Sequence, residues 1–151
     1  MSDAARVLID ALETLGVASP AALRSSTSSA DPRLLAIGWA TVELDRAAEQ
    51  LFPILPPGAS FRVAERSLVL GAACRVADAV GPEWPLVVLL EPDTEGRLAA
   101  TLARCGEGWV AEWSRAASLA GVPVSSVVAG PLGPERLRLG DPVHGPHHLF
   151  L

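Results

Sequence analysis

Short apolar runs cut by Gly, Pro and Asp clusters dominate the chain from Leu34 onward, a pattern that predicts strands more often than helices. The clearest unit is Pro85 to Trp113, PLVVLLEPDTEGRLAATLARCGEGWVAEW. Pro85 to Leu90 is apolar and rich in β-branched residues, which predicts a buried strand. Glu91-Pro92-Asp93 ends it, because Pro92 has no N–H for a ladder. Asp93 or Thr94 then caps a helix whose apolar stripe is Leu98, Ala99 and Leu102, and Gly106 and Gly108 stop that helix. From there Trp109, Ala111 and Trp113 alternate with Val110 and Glu112, so a second strand is expected with the two tryptophans and Ala111 on one face.

The same reasoning orders the rest of the chain. Val7, Leu8, Ala11, Leu12 and Leu15 recur at helical spacing and predict an amphipathic helix over Ala4 to Leu15, with Ser2 or Asp3 as cap and Gly16 as terminator. Ser19-Pro20 starts a short helical turn through Leu23, and SSTSSAD at Ser25 to Asp31 has the composition of a linker or mobile loop. Next come a strand over Leu34 to Val42 and a helix over Asp45 to Leu51. Strands over Phe61 to Ala64 and Leu68 to Val76 turn around Glu65-Arg66, a loop spans Val80 to Trp84, and a strand follows over Leu86 to Glu91. After Trp113 a short helix over Ala116 to Ala120 precedes strands at Val122 to Val128, Arg136 to Leu139 and His147 to Leu151.

The layout LLEP, short helix, GEG, strand resembles the junction between the two halves of the vicinal oxygen chelate superfamily, and in particular its glyoxalase, methylmalonyl-CoA epimerase-like and bleomycin-resistance-like members. The resemblance covers about Leu34 to Leu151. It implies an α+β fold in which two βαβββ modules form a curled mixed sheet around a cleft. On that division residues 1–33 are an added helical extension and linker, and residues 34–151 are the glyoxalase-like domain. The extension packs outside the sheet or, as a sharper alternative, forms a dimer contact or a lid. Members of the superfamily commonly pair modules across an interface, and open sheet edges need covering, so a homodimer is expected.

Most members hold a divalent metal in the cleft. The resemblance places the ligand positions at Ala36, Val88, Ala111 and, near the end of the chain, His148 or Leu149. Three of these are methyl or isopropyl side chains with no electron pair for a cation, so no metal and no other cofactor is expected there. A replacement site built from His144, His147 and His148 is conceivable, although three histidines on a Pro/Gly-rich tail read first as end-strand residues.

Composition narrows the choice of function. The chain has 151 residues, half of them apolar, enough for one domain with a substantial core. Its net charge is −5 and its basic residues are all Arg, so the electrostatic attraction that nucleic-acid binding requires is missing, as is a lysine for a Schiff base. Cys74 and Cys105 lack metal-type spacing and read as packed thiols. The absence of a signal-like or membrane-length apolar run makes a cytoplasmic protein the expectation.

Small residues at Ala36, Gly38 and Ala40 face Trp109, Ala111 and Trp113 in matching strands, which suggests an apolar slot for a planar ligand unless the tryptophans fill it. The candidate ligand-binding residues are therefore Ala36, Gly38, Val88, Trp109, Ala111, Trp113 and His148, with no catalytic residue assigned. Glu43, Glu91, Glu112, Arg75 and Arg115 read as surface ion pairs before they read as catalysts. Three functions follow. The first is a metal-free protein that binds a small apolar or aromatic molecule. The second is an isomerase or lyase with a carboxylate or His as acid/base on an acyl or dicarbonyl-type substrate. The third is an interaction subunit with a plugged cleft.

Overall fold

The computed structural model describes residues 34–54, 58–78, 86–115, 119–140 and 146–151. The expected helix over Ala4 to Leu15, the linker, Trp84 and His144 lie outside them. In chain order the elements are β1 (Leu34–Ala40), α1 (Leu44–Leu51) with a 3-10 turn (Phe52–Ile54), β2 (Ser60–Ser67), β3 (Ala72–Asp78), β4 (Leu86–Pro92), α2 (Arg97–Cys105), β5 (Gly108–Ser114), β6 (Arg136–Leu137) and β7 (His147–Phe150). They form one mixed sheet in the order β2-β3-β4-β1-β5-β7-β6, curled into a half-barrel. The first module is strand, helix and three strands, as expected. The modules join where β1 pairs β4 in parallel and β5 antiparallel.

Alternation along the central strands sorts the side chains onto two faces. On the outer face lie Ile37, Trp39, Val87 and Leu89, all buried. Arg75 pairs with Leu89 in the ladder and reaches Asp45 of α1 at 2.5 Å, which fixes that helix to the same face through its buried Ala47 and Leu51. The inner face carries Ala36, Ala40, Cys74, Val76, Val88, Leu90, Ala111, Trp113, Leu137 and Leu149 as one buried cluster, joined by Leu70 and by Leu98 of α2.

Three boundaries and one burial differ from the sequence expectation. The β2–β3 turn falls at residues 68–71 and not at Glu65-Arg66. Its apolar Leu70 is fully buried, and Gly71, at φ 72°, donates its N–H to the Ser67 carbonyl, so a turn is written in residues that read as strand. The start of α2 moves to Arg97 behind Gly96, with the Leu98 N–H donated to the Leu70 carbonyl and no side-chain cap from Asp93 or Thr94. The expected strand over Val122 to Val128 is reduced to isolated bridges, Val124 to Arg138 and Val128 to Glu135. Pro123 has no N–H to offer a ladder, and the Ser125 hydroxyl accepts the Leu137 N–H, a side chain competing with sheet pairing. Lastly, Cys74 is buried as expected, but Cys105, the last residue of α2, is exposed.

Glu91, from the LLEP turn, accepts the N–H of Leu44 at 3.2 Å. It thereby satisfies an orphan donor at the start of α1 that Glu43 leaves uncapped. Replacing Glu91 with Ala is expected to cost about 1 kcal/mol of stability, whereas Glu91→Gln, which keeps an acceptor, loses less. Denaturant unfolding of the two variants checks this, and equal losses would remove the capping role.

Candidate functional site

The strand registers place the sequence-predicted residues in two groups. Gly38 pairs with Val88 on one side and Ala111 on the other, so these three form a row across the middle of the inner face. Ala36, two residues along the same face, pairs with Trp113. Trp109 and His148 belong to the opposite face. A bulge between Gly38 and Trp39 inserts Val110 into β5, so that Trp109 pairs with Trp39 and its indole N–H donates to the Ala111 carbonyl at 3.1 Å. The strict alternation expected for Trp109, Ala111 and Trp113 is broken at that bulge. His148 pairs with Glu112 in the ladder, and its Nδ1 lies 3.3 Å from the Glu112 carboxylate. His147 instead shares a face with Ala111, and its Nε2 lies 2.9 Å from the Thr101 hydroxyl of α2.

The row itself is filled. A Cβ added at Gly38 would stand 2.8 Å from the Trp113 ring and 2.9 Å from both Ala111 and Leu90, closer than nonbonded carbon atoms tolerate. The Trp113 indole therefore lies directly on the glycine, with none of its surface reached by water. The inner-face residues Ala36, Val88, Ala111 and Leu149 are equally inaccessible. Small residues here make room for the protein's own ring. Ala36, Gly38, Val88 and Ala111 present only hydrocarbon or hydrogen to this interior, so the residues present do not fit the divalent metal that the resemblance implies. Among the described residues no group of three His, Cys, Asp or Glu side chains converges on a metal-sized site.

One carboxylate does reach this interior, and the sequence reasoning passed over it. Glu135, just before β6, is fully buried. Trp113 Nε1 donates to its Oε1 at 3.0 Å, and the Ser67 hydroxyl donates to its Oε2 at 2.8 Å. A Cβ at Gly130 would collide with the same carboxyl, so that position too must stay bare. Burial holds the Glu135 carboxyl above the usual carboxylate range, against the opposing pull of the bonds from Trp113 and Ser67. A single acidic residue in a proline-broken stretch that is apolar but for the neighbouring Arg136, AGPLGPERL, was the available signal. No periodicity gave it a face.

Three of the other charged candidates are held in structural contacts. Glu91 caps α1, Glu112 meets His148, and Arg75 meets Asp45. Glu107, from the GEG turn, accepts the Thr41 hydroxyl at 2.7 Å and Arg46 Nη2 at 2.6 Å. Burial raises its pKa, but those bonds and the Arg46 charge outweigh burial and hold it below the usual range.

Comparison with solved structures places this geometry within a known fold. No protein-family model matches the chain, and no curated protein matches it. Fifteen chains of solved structures do. Methylmalonyl-CoA epimerase from Mycobacterium tuberculosis superposes with a TM-score of 0.63 at 20% identity, covering 78% of this chain and 85% of that one. A variant of the Streptomyces coelicolor methylmalonyl-CoA epimerase, in complex with 2-nitronate-propionyl-CoA, gives 0.60 at 21%, covering 78% and 94%. A hypothetical protein from Bacillus halodurans gives 0.58 at 19%, covering 78% and 91%. The chain thus shares the curled-sheet α+β fold of these structures, the fold that the sequence resemblance implied. Methylmalonyl-CoA epimerases are among the structures that share it.

Two outcomes follow from the packing and the buried acid. Gly38→Ala should lower stability by about 1–3 kcal/mol through overpacking against Trp113, measured as a lower denaturant midpoint at unchanged slope; a neutral substitution would mean the ring is free to move aside. Glu135 has a folded-state pKa above its unfolded one. Its contribution to stability is therefore full below about pH 4.3, the unfolded value, and is lost as pH rises through the folded value. Glu107 has the opposite sign, contributing above the unfolded value and losing that contribution as pH falls through its depressed one. The difference in stability between wild type and Glu135→Gln isolates the first, and it should shift in favour of the variant as pH rises.

Proposed function

We propose that this chain is a metal-independent member of its fold that binds a small apolar or aromatic molecule, with Trp113 covering the binding face in this structure. The observation that carries the reading is the hydrocarbon row Val88, Gly38 and Ala111, roofed by an indole ring: the face is already complementary to a flat aromatic group. The ligand-bound epimerase among the structural neighbours supports a small molecule, an acyl thioester included, as occupant of this kind of half-barrel. On this reading a ligand displaces the Trp113 ring, and Trp109 and His148 take no part.

Trp113→Ala is expected to raise affinity for indole-sized aromatics at least tenfold over wild type, because a large apolar cavity accepts such molecules. Calorimetric titration with indole measures it. Equal affinity in the two proteins would sink the displacement idea. Metal analysis of the purified protein should return no stoichiometric transition metal.

A second reading, an isomerase acting on an acyl thioester, is favoured by Glu135, an acidic group held above its ordinary pKa inside the half-barrel. It requires that the wild type exchange the α-proton of methylmalonyl-CoA with deuterated solvent and that Glu135→Gln does not. No exchange by the wild type leaves the binding reading. The homodimer remains our proposal for the assembly, since β2 and β6 are the sheet's edge strands, and sedimentation at micromolar concentration tests it. Among the described residues no helix is long and apolar enough to cross a membrane.

A further inference from the structure

In the ladder, β2 and β6 lie at opposite edges of the seven-stranded sheet. Ser67, the last residue of β2, is nevertheless hydrogen-bonded to Glu135, the residue before β6. The curl has brought the two edges together, and the Leu68 N–H reaches the Ala129 carbonyl at 3.3 Å beside that contact. Trp113, from the middle of the sheet, donates to the second oxygen of the same carboxyl. One side chain thus joins both edges to the ring that covers the inner face.

We propose that the Ser67–Glu135–Trp113 contact is the lock of the half-barrel: the inner face becomes reachable when Glu135 lets go of Ser67 and Trp113, and rising pH drives that release. This rests on the binding reading above, to which it adds the way in and its control.

The geometry gives the lock something to guard. Behind it lie Cys74, Val76, Val88 and Leu90, each all but inaccessible to water, so parting the edges would uncover an apolar surface and not a polar one. The surroundings of Glu135 set the direction with pH. The groups that donate to it, an indole N–H and a hydroxyl, are neutral. On β3 the Cys74 thiol feels its charge, and that thiol is itself pushed up to about 12, first by burial. On β2 the neighbouring Arg66 is turned onto Asp93, and Arg136, next in the chain, is exposed. Among the described residues no cation therefore stands beside an ionised Glu135 in the closed interior, and burial makes the closed form prefer the proton. Opening gives the carboxylate back to water. Between the open-state pKa, about 4.3, and the higher closed-state value, the opening equilibrium gains up to tenfold per pH unit.

Hydrogen exchange at the Trp113 indole N–H, followed by 15N NMR and assigned by its loss in Trp113→Phe, reports each opening. Glu135→Gln keeps an acceptor for the indole and a donor for Ser67, and it does not ionise. Dividing the wild-type exchange rate by that of this variant at each pH cancels the base catalysis common to both. The ratio should rise with pH, approaching tenfold per unit, and then level off. A ratio constant from about pH 5 to about pH 9 overturns the proposal. Should Glu135→Gln fail to fold, wild type with the dye ANS decides: stronger binding at the alkaline end is expected, and equal or weaker binding overturns the lock. The two readings fail separately. Equal affinity of Trp113→Ala and wild type for indole counts against the ligand, and a flat exchange ratio counts against the lock.

Discussion

Burying an indole ring buries its N–H as well, and a donor left without a partner in the interior costs about 1–3 kcal/mol. Trp113 meets that demand through Glu135, and much of the second module follows from the solution. The carboxyl needs Gly130 bare beneath it and Ser67 to share its load, and Ser67 stands at the far edge of the sheet. The curl of the sheet, the glycine opposite the ring on β1 and the proline-broken segment that delivers Glu135 are therefore parts of one packing arrangement. A half-barrel has an interior where a ligand could be enclosed. Here it surrounds a side chain of its own.

How much of this could be read from the chain depends on the range of the interactions involved. The first module was legible because its signals are local: a β-branched run stopped by Glu91-Pro92-Asp93, a helix stopped by Gly106, and alternation along β1. Where tertiary contacts decide, the reading slipped. Leu68 to Leu70 have strand composition, yet they form a turn because Leu70 is drawn into the inner core. Trp109 and Trp113 have matching parity in the sequence, yet the extra residue at Val110 sends them to opposite faces. Glu135 had no face at all until Trp113 and Ser67 gave it one. Its position in a stretch without periodicity hid a buried carboxyl of the interior.

The candidate site divides along the same line. That Ala36, Val88 and Ala111 could not ligate a metal followed from side-chain chemistry alone, and the registers put Val88 and Ala111 in one row on the inner face. His148 could not be placed from sequence, because a one-residue shift in a short terminal strand exchanges faces. The ladder gives the inner face to His147, which leans on Thr101, and turns His148 toward Glu112. Fold and reaction are thus separable in this chain. The scaffold matches that of epimerases while the side chains across its middle row carry no polar chemistry.

The two thiols of the chain sit at the extremes of accessibility, and this makes them a built-in pair of chemical timers. Cys105, at the exposed end of α2, offers its sulfur to any passing electrophile. Cys74 lies on the inner face with a thiol pKa of about 12, so little of it is thiolate while it stays buried. An alkylating reagent would thus reach the first sulfur directly and the second only at the pace at which the interior comes apart. The interval between one added mass and two is a direct clock on the breathing of this protein, and it needs neither a ligand nor an engineered probe.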